Sequence, residues 1–260
     1  MPRADKYIAG LFPSGTGRTT VRAKVLTPSE ALNLANALRA DAVDLYYSGW
    51  ISFLDALNGI RKFFYTWATV KLYYSVFYSF RSSLALDDFC AFHVGRPHYI
   101  VLARPGETPV SCTDSGTHKV VLKSFQDRNP NHLLVSQKIG LDEAVDWLIE
   151  KREIANYSNP RFTEPDSSQE FNFIISCGIR KTLNTYLGEK SSLYMFDPDH
   201  AIVAFPLRAL QLTGDQLLAA VRTLGVAADE EMFLKSCARD DSGYLSQLVS
   251  EMKRLTLVGK

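Results

Sequence analysis

The sequence predicts a mainly α-helical protein: a helical bundle with a small β-like insert at about 91–113 and a C-terminal helical region. Three observations lead to this prediction. Long stretches repeat their apolar residues every three or four positions and contain few Gly or Pro residues. The stretch from Cys90 to Thr113, by contrast, combines short β-branched runs with Pro and Gly. No internal repeat or low-complexity segment interrupts this order.

The first elements are an arm and a long helix. Residues 1–26 are expected to form an N-terminal arm or short strand, because Gly, Pro, Thr and Arg surround one apolar patch. Thr27 and Glu30, with a proline between them, are typical of a capped helix start. The helical pattern that follows is expected to break at Ser48–Gly49 and to end at Asn58–Gly59.

The stretch from Trp67 to Leu86 is strongly helical, because it contains no Gly or Pro and carries two stripes at helical spacing. The apolar stripe consists of Val70, Tyr73, Phe77, Phe80 and Leu84, and the aromatic, polar stripe consists of Tyr74, Tyr78 and Arg81. Two occupied faces predict a helix at the centre of the bundle. The second stripe is either core with exposed hydroxyl groups or a binding surface.

The rest of the chain is expected to be helical. The predicted helices are 117–127, 142–157, 169–187, 206–224, 229–238 and 243–256, with a strand-like run at 193–196 and a separate apolar run at 201–205. The polar connector that ends at Ser168 is the best boundary, which divides the chain into 1–26, 27–165 and 166–260. The last region forms a unit of its own or belongs to the same domain as the bundle.

Arg152 lies on the apolar stripe of the helix 142–157, four residues after Leu148. A guanidinium on a core-facing stripe needs a partner, because an unpaired buried charge is costly. Asn156 lies one turn further on, and Tyr157 follows it. Arg152, Asn156 and Tyr157 therefore form a candidate catalytic cluster. The alternative is an arginine that joins two helices through a carboxylate.

Two segments, Tyr73–Leu86 and Trp147–Tyr157, resemble paired helices of the HEPN superfamily, in particular its YaaC-like and defence-associated members. The resemblance covers about 31–165 and leaves the C-terminal region unmatched. It implies a helical bundle, often dimeric, and many members are metal-independent ribonucleases or toxin components. Arg152 matches the motif arginine that contacts RNA phosphate, whereas Tyr157 and Tyr78 occupy positions where relatives often have histidine. With a pKa of about 10, tyrosine is a poor proton shuttle.

Other candidate residues carry weaker patterns. His93, Arg96 and His98 lie together in the insert, where they either approach the bundle or remain on the surface. The segment Asp197–His200 is typical of a turn, so neither a metal site nor a cofactor is predicted. The glycine-containing segment 14–20 lacks the spacing of a phosphate-binding loop.

Composition limits the function classes. The formal net charge of +1 over 260 residues argues against capture of nucleic acid by the whole surface. The four cysteines are scattered without metal-ligand spacing, and no signal-peptide core or membrane-length apolar run occurs. These features predict a cytoplasmic protein that does not enter a membrane.

The sequence leads to three functional hypotheses. The first is an HEPN-like, non-catalytic subunit of a prokaryotic antiviral defence or toxin–antitoxin-like complex, with other protein subunits, a second copy, RNA or DNA as partners. The second is a metal-independent HEPN-type endoribonuclease in which Arg152 contacts the scissile phosphate. The third is a nucleic-acid sensor without chemistry. An enzyme should place Arg152 in a cleft near a histidine, whereas a scaffold should pair Arg152 with a carboxylate.

Overall fold

A computed structural model describes residues 1–113, 116–158, 160–221 and 226–252. Helices make up 66% of it, and strands occur only in small sheets, which confirms the predicted mainly α class with a small β insert. The described α-helices are α1 (Arg3–Leu11), α2 (Arg18–Ala23), α3 (Pro28–Arg61), α4 (Tyr65–Leu86), α5 (Thr117–Arg128), α6 (Ala144–Glu153), α7 (Asn172–Cys177), α8 (Ile179–Gly188), α9 (Ala201–Ala220), α10 (Ala228–Cys237) and α11 (Ser246–Met252). The described strands are β1 (Phe89–His93), β2 (His98–Leu102), β3 (Val110–Ser111), β4 (Lys138–Ile139), β5 (Asp142–Glu143), β6 (Arg239–Asp240) and β7 (Gly243–Tyr244).

The helix α3 begins as predicted and continues further than predicted. The hydroxyl of Thr27 accepts a hydrogen bond from the backbone N–H of Glu30, and the Glu30 carboxylate accepts one in return. The helix does not break at Ser48–Gly49 and ends at Arg61 instead of Asn58–Gly59. It ends because Phe63 adopts a left-handed backbone with φ of 63°, the position that usually holds glycine.

The core lies where α3, α4 and α9 pack together. Trp50, Phe80 and Phe205, one from each helix, have no exposed surface. Small side chains of α4 let the helices approach closely, and they also bond across the contacts. Ser82 donates to the carbonyl of Ala42 in α3 at 2.8 Å, and the carbonyl of Ser79 accepts from Thr213 in α9. The aromatic helix predicted from the sequence is therefore central to the bundle.

The N-terminal segment consists of two helices packed on the protein, so the expectation of an arm or short strand was wrong about its local structure. The Asp41 carboxylate of α3 accepts from the backbone N–H groups of Arg3 and Ala4, at 2.7 and 2.8 Å, and thereby caps α1. Phe12 follows α1 and stacks on Phe92 of β1, with ring centroids 5.7 Å apart. This segment, the sheet and the start of α3 share a second apolar cluster.

The insert is an antiparallel sheet in the order β1, β2, β3. Phe89 pairs with Leu102 and His93 with His98, so β1 and β2 form a hairpin that starts slightly before the predicted insert. The insert is therefore a regular sheet, and its hairpin end carries His93, Arg96 and His98.

The C-terminal third departs from the prediction at three points. Gly178 has φ of +81° and separates α7 from α8, where one helix was expected. The segment Leu193–Phe196 is a 3-10 helix and not a strand. The apolar run from Ala201 belongs to α9. Pro206 is the sixth residue of this helix, so it lies inside the helix and cannot donate a backbone hydrogen bond to the carbonyl of Ile202. The predicted helices 206–224 and 243–256 extend into 222–224 and 253–256, which lie outside the described residues.

The core joins side chains of α3 and α4, which precede the boundary proposed at residue 165, with side chains of α9, α10 and α11, which follow it. The division of the chain into 1–26, 27–165 and 166–260 stays a prediction. Of the helices in the described ranges, none has the length and hydropathy needed to cross a lipid bilayer.

Candidate functional site

A group of aromatic and basic side chains lies where α5 and the end of α6 pack on α4. The packing follows from the sequence of α4, whose residues four apart lie on one face. We call this group the Arg–His cluster. Its members are Tyr73, Tyr74, Phe77, Tyr78 and Arg81 of α4, His118 of α5, and Arg152 and Tyr157 from the end of α6 and the turn after it.

His118 is held by the aromatic face of α4. Its Nδ1 atom lies 2.9 Å from the hydroxyl oxygen of Tyr73, within hydrogen-bond distance. Its ring stacks on Phe77 with a centroid separation of 4.1 Å and contacts the edge of Tyr74 at 5.4 Å. The imidazole is partly buried and fixed on three sides, so it is oriented before any ligand binds.

Arg152 contacts two aromatic rings. Its guanidinium carbon lies 5.5 Å from the ring centroid of Tyr73 and 5.4 Å from that of Tyr157. Its Nε atom is buried without a hydrogen-bond partner among the described residues. Within those residues no carboxylate forms an ion pair with it, so the structure provides no support for an arginine that joins two helices through a carboxylate.

The turn after α6 explains why Tyr157 reaches Arg152. Residues Ile154–Ser158 form a π-helix, in which hydrogen bonds join positions five apart. Tyr157 is five residues after Arg152, so the wider turn brings the two side chains onto the same face. A regular α-helix would carry Tyr157 away from the arginine. Single π-turns of this kind are frequent at functional sites.

The charges of the cluster act on its titratable groups. Burial lowers the pKa of His118, and the positive charges of Arg152 and Arg81 lower it further. Burial also raises the pKa of the Tyr73 hydroxyl to about 12, against the opposing effect of Arg152. At neutral pH His118 and Tyr73 are therefore uncharged, and the guanidinium groups supply the charge of the site.

An acidic residue, Asp5, interacts with Arg81. Burial raises the pKa of Asp5, while the charges of Arg81 and His93 lower it. Arg81 is therefore partly balanced by Asp5, whereas Arg152 has no such partner in the described chain. Arg152 is the more available of the two cations.

The other predicted site residues lie outside the contacts of the cluster. Asn156 is partly buried in the π-turn beside Tyr157. His93 and His98 face each other across the hairpin, with ring centroids 6.0 Å apart, and Arg96 is exposed at its tip. In the described chain no hydrogen bond or ring contact joins these three residues to His118. The charge of His93 acts on Asp5, on which Arg81 of the cluster acts as well.

His118 is the residue of the cluster that the sequence analysis missed. It stands in the first turn of a short, ordinary-looking helix, and the contact with Tyr73 spans 45 residues. The position five residues beyond Arg152, where the HEPN resemblance leads one to expect a histidine, is occupied by Tyr157. In the sequence, His118 is one of several polar residues at the start of a predicted helix. That pattern does not single out one residue as functional.

A second histidine has a similar partner but different surroundings. His200 lies 3.0 Å through Nδ1 from the Tyr186 hydroxyl and contacts the rings of Phe173 and Tyr194. The preceding Asp197 forms the expected turn, in which its carboxylate accepts from the N–H of Asp199 at 2.9 Å. In the described ranges, no group of three His, Cys, Asp or Glu side chains is arranged to bind a metal ion.

A cavity of about 810 Å³ opens elsewhere, between the end of α3, α7, α8 and the β6–β7 turn. Its arginines are paired: Arg180 donates to Asp240 from Nε at 3.0 Å and from Nη2 at 2.6 Å, and Arg61 pairs with Asp241. Paired guanidinium groups are poorly available to a ligand, which distinguishes this cavity from the Arg–His cluster.

No protein-family model matches this chain, and no curated protein or solved structure shows significant similarity to it. The HEPN resemblance therefore stays a prediction that depends on the residues of α4 and α6.

Proposed function

We propose that this chain is an HEPN-like protein that acts on RNA, and that the Arg–His cluster contacts the phosphodiester backbone. The observation that carries the proposal is the guanidinium of Arg152, which has no carboxylate partner in the described residues and lies near His118 and Arg81. An uncompensated cation favours an anionic ligand, and a planar guanidinium fits the oxygens of a phosphate.

The chemistry that the cluster supports is metal-independent cleavage of RNA. An uncharged His118 removes the proton from a ribose 2′-hydroxyl, and the 2′-oxygen forms a bond to the adjacent phosphorus. The bond from phosphorus to the 5′-oxygen of the next nucleotide breaks, and that oxygen takes a proton from water. The hydroxide that remains takes the proton from His118, which returns the imidazole to its uncharged form. Arg152 stabilises the extra negative charge on the phosphate during transfer. The products are a 2′,3′-cyclic phosphate and a 5′-hydroxyl.

The tautomer of His118 decides between cleavage and binding alone. The 2.9 Å distance to Tyr73 fits a hydrogen bond in either direction. If Nδ1–H donates to the Tyr73 oxygen, Nε2 has a free lone pair and acts as a base. If the Tyr73 hydroxyl donates, Nε2 carries the proton and donates to a phosphate without removing a proton. Nitrogen chemical shifts of the imidazole distinguish the two tautomers directly.

Purified protein incubated with labelled single-stranded RNA tests the proposal. The wild type is expected to cleave RNA but not the same sequence with 2′-O-methyl riboses, because the attacking hydroxyl is blocked. Arg152→Ala and His118→Ala are each expected to lower the rate by about a hundredfold.

Two matched variants control for general effects on the chain. Arg239→Ala removes another arginine that lies over a tyrosine ring, and His200→Gln removes another histidine bonded to a tyrosine hydroxyl. Both should cleave at the wild-type rate. Binding of RNA without cleavage by the wild type would support the sensor or subunit hypothesis over the enzyme. Absence of any RNA binding would contradict the proposal as a whole.

A second candidate function, a subunit of a prokaryotic antiviral defence or toxin–antitoxin-like complex in the cytoplasm, is favoured by a different surface. Four exposed aromatic residues surround the start of α4, and each is between 47% and 57% exposed: Phe63, Phe64, Trp67 and Phe162. Trp67 contacts Phe162 edge-on, with centroids 5.8 Å apart, so the patch is ordered. Exposed aromatic groups of this kind are enriched at protein interfaces.

Co-purification with the products of neighbouring genes tests the subunit hypothesis. Trp67→Ser should weaken recovery of a genuine partner, because it removes the centre of the patch. Leu32→Ser, at an exposed apolar position near the start of α3, is the matched control and should recover the partner normally. Equal recovery of the partner with both variants would show that this patch is not part of the binding interface.

A further inference from the structure

We propose that Tyr157 is a nucleobase-stacking platform beside the phosphate-binding Arg152, so that the ligand of the cluster is a single-stranded nucleic acid. This inference depends on the proposed function and specifies its substrate class. Stacking on an aromatic side chain is a common way to bind an unpaired base, and it tolerates any base because every base has a π-face.

The exposure of Tyr157 is the first argument. Its side chain is 72% exposed, although its ring lies 5.4 Å from the guanidinium carbon of Arg152. One face of the ring is thus covered by the cation while the rest faces solvent. An exposed tyrosine is ordinarily free to change rotamer, but the contact with Arg152 restrains this one. A restrained ring with an open face suits a flat ligand, because little entropy is lost on stacking.

The contacts of Arg152 are the second argument. Its guanidinium carbon lies over the rings of Tyr73 and Tyr157, at 5.5 and 5.4 Å from their centroids, and its Nε atom is buried. The terminal N–H groups at the edge of the guanidinium therefore remain for a ligand, and they approach a phosphate in the plane of the group. A phosphate at that edge is next to the Tyr157 ring. The base of the same or a neighbouring nucleotide then has the open ring within reach.

Duplexes cannot use this arrangement. Bases in a helix are stacked on each other and paired, so their faces are not available to a protein side chain. Arg152 alone would bind phosphates of any nucleic acid, whereas the combination of Arg152 and Tyr157 favours strands with unstacked bases. The two side chains therefore have separable effects on affinity.

Fluorescence anisotropy with two non-cleavable labelled strands separates these effects. One strand is a short single-stranded 2′-O-methyl RNA, and the other has the same backbone and length without bases. Wild type should bind the strand with bases about tenfold more tightly. Tyr157→Ala should remove that preference, so that both strands bind with similar affinity, while Tyr157→Phe should keep it.

The control variant is Tyr244→Ala, because Tyr244 is another exposed tyrosine with an arginine over its ring, at 4.7 Å. It should bind both strands as the wild type does. Equal binding of both strands by the wild type would overturn the stacking inference and leave the proposed function intact. An equal loss on both strands in Tyr157→Ala would overturn it too, since Tyr157 would then act only through Arg152. If neither strand binds, the proposed function itself fails.

Discussion

Arg152 and Arg180 show two ways in which a folded chain holds a partly buried guanidinium. Arg180 donates two hydrogen bonds to Asp240, whose pKa is lowered by that contact, so the pair is neutral overall. Arg152 instead contacts two aromatic rings, which attract the cation without neutralising it. The positive charge at Arg152 is therefore retained at the surface of α4, where it is available to an anion.

The pKa of His118 reports directly on this charge. We expect a value below the ordinary 6.5, because burial and the charges of Arg152 and Arg81 disfavour the protonated ring. Arg152→Gln should raise the pKa, since one cation is removed, but leave it below the ordinary value because burial remains. A bound oligonucleotide should raise it in the wild type as well, because phosphate offsets both cations. A pH titration of the imidazole NMR signals measures each shift.

The pKa of His118 also determines how the rate of cleavage depends on pH. His118 accepts a proton only when it is uncharged, so the rate should rise with pH through the lowered pKa and be level by neutral pH. In Arg152→Gln the residual rate should level off at a higher pH. Arg239→Ala is the control and should leave the titration of His118 unchanged. An Arg152→Gln variant with an unshifted His118 pKa would show that the two groups are too far apart to act together.

The residues of the cluster differ in how far the sequence indicates them. The helical spacing places Tyr74, Tyr78 and Arg81 on one face of α4, and the apolar stripe of α6 draws attention to Arg152. The sequence does not indicate His118, because its contact with Tyr73 depends on how α5 packs after the insert. Tertiary contacts between distant segments have no periodic signature, so histidine spacing along one helix could not reveal it.

At the scale of the elements, a glycine expected to break α3 instead lets helices pack closely. A methyl group on Gly49 would lie 3.1 Å from Leu210 Cδ2 of α9 and 3.4 Å from the carbonyl oxygen of Ser75 in α4. The helix continues through this position because tertiary packing outweighs the low helix propensity of glycine. The sequence alone does not show whether a glycine such as Gly49 ends a helix or allows neighbouring helices to pack closely.

Gly49→Val should therefore destabilise the protein by about 1–3 kcal/mol, because the added atoms overlap α4 and α9. Gly10→Ala in α1 is the control, since a methyl group there meets no atom within 4 Å. That substitution should be neutral or stabilise the chain by up to about 1 kcal/mol. Urea denaturation followed by circular dichroism measures both values. A Gly49→Val variant as stable as the wild type would mean that the helices separate without cost.

Other helices were predicted correctly where apolar residues recur at clear helical spacing. The prediction failed where a single residue determines where a helix begins or ends. The helices α5 and α10 lie within one or two residues of the predicted bounds. The predicted helix 169–187 is divided because Gly178 adopts a positive φ that an isolated pattern does not require. The N-terminal helix α1 depends on a cap from Asp41, a residue of α3, so its own sequence is insufficient to indicate it.

At the scale of the whole molecule, positive and negative charges nearly balance. The formal net charge is +1, and many charged side chains form pairs, such as Lys71 with Asp55 and Lys235 with Glu231. Nucleic acid would therefore be attracted to a local site more than to the surface in general. This distribution fits a small phosphate site on α4 and α6, and it has a measurable consequence in salt.

The affinity of the wild type for single-stranded RNA should depend only weakly on salt. Arg152 and Arg81 neutralise at most about two phosphates, so log K against log salt should have a slope no steeper than about −1.4. Arg152→Ala should make the slope shallower by about 0.7, because one phosphate contact is lost. Anisotropy titrations over a range of KCl concentrations with the non-cleavable strand measure both slopes, with Arg239→Ala as control. A slope several times steeper than this, unchanged in Arg152→Ala, would contradict the prediction. It would show that RNA binds to the general surface of the protein and not to the Arg–His cluster.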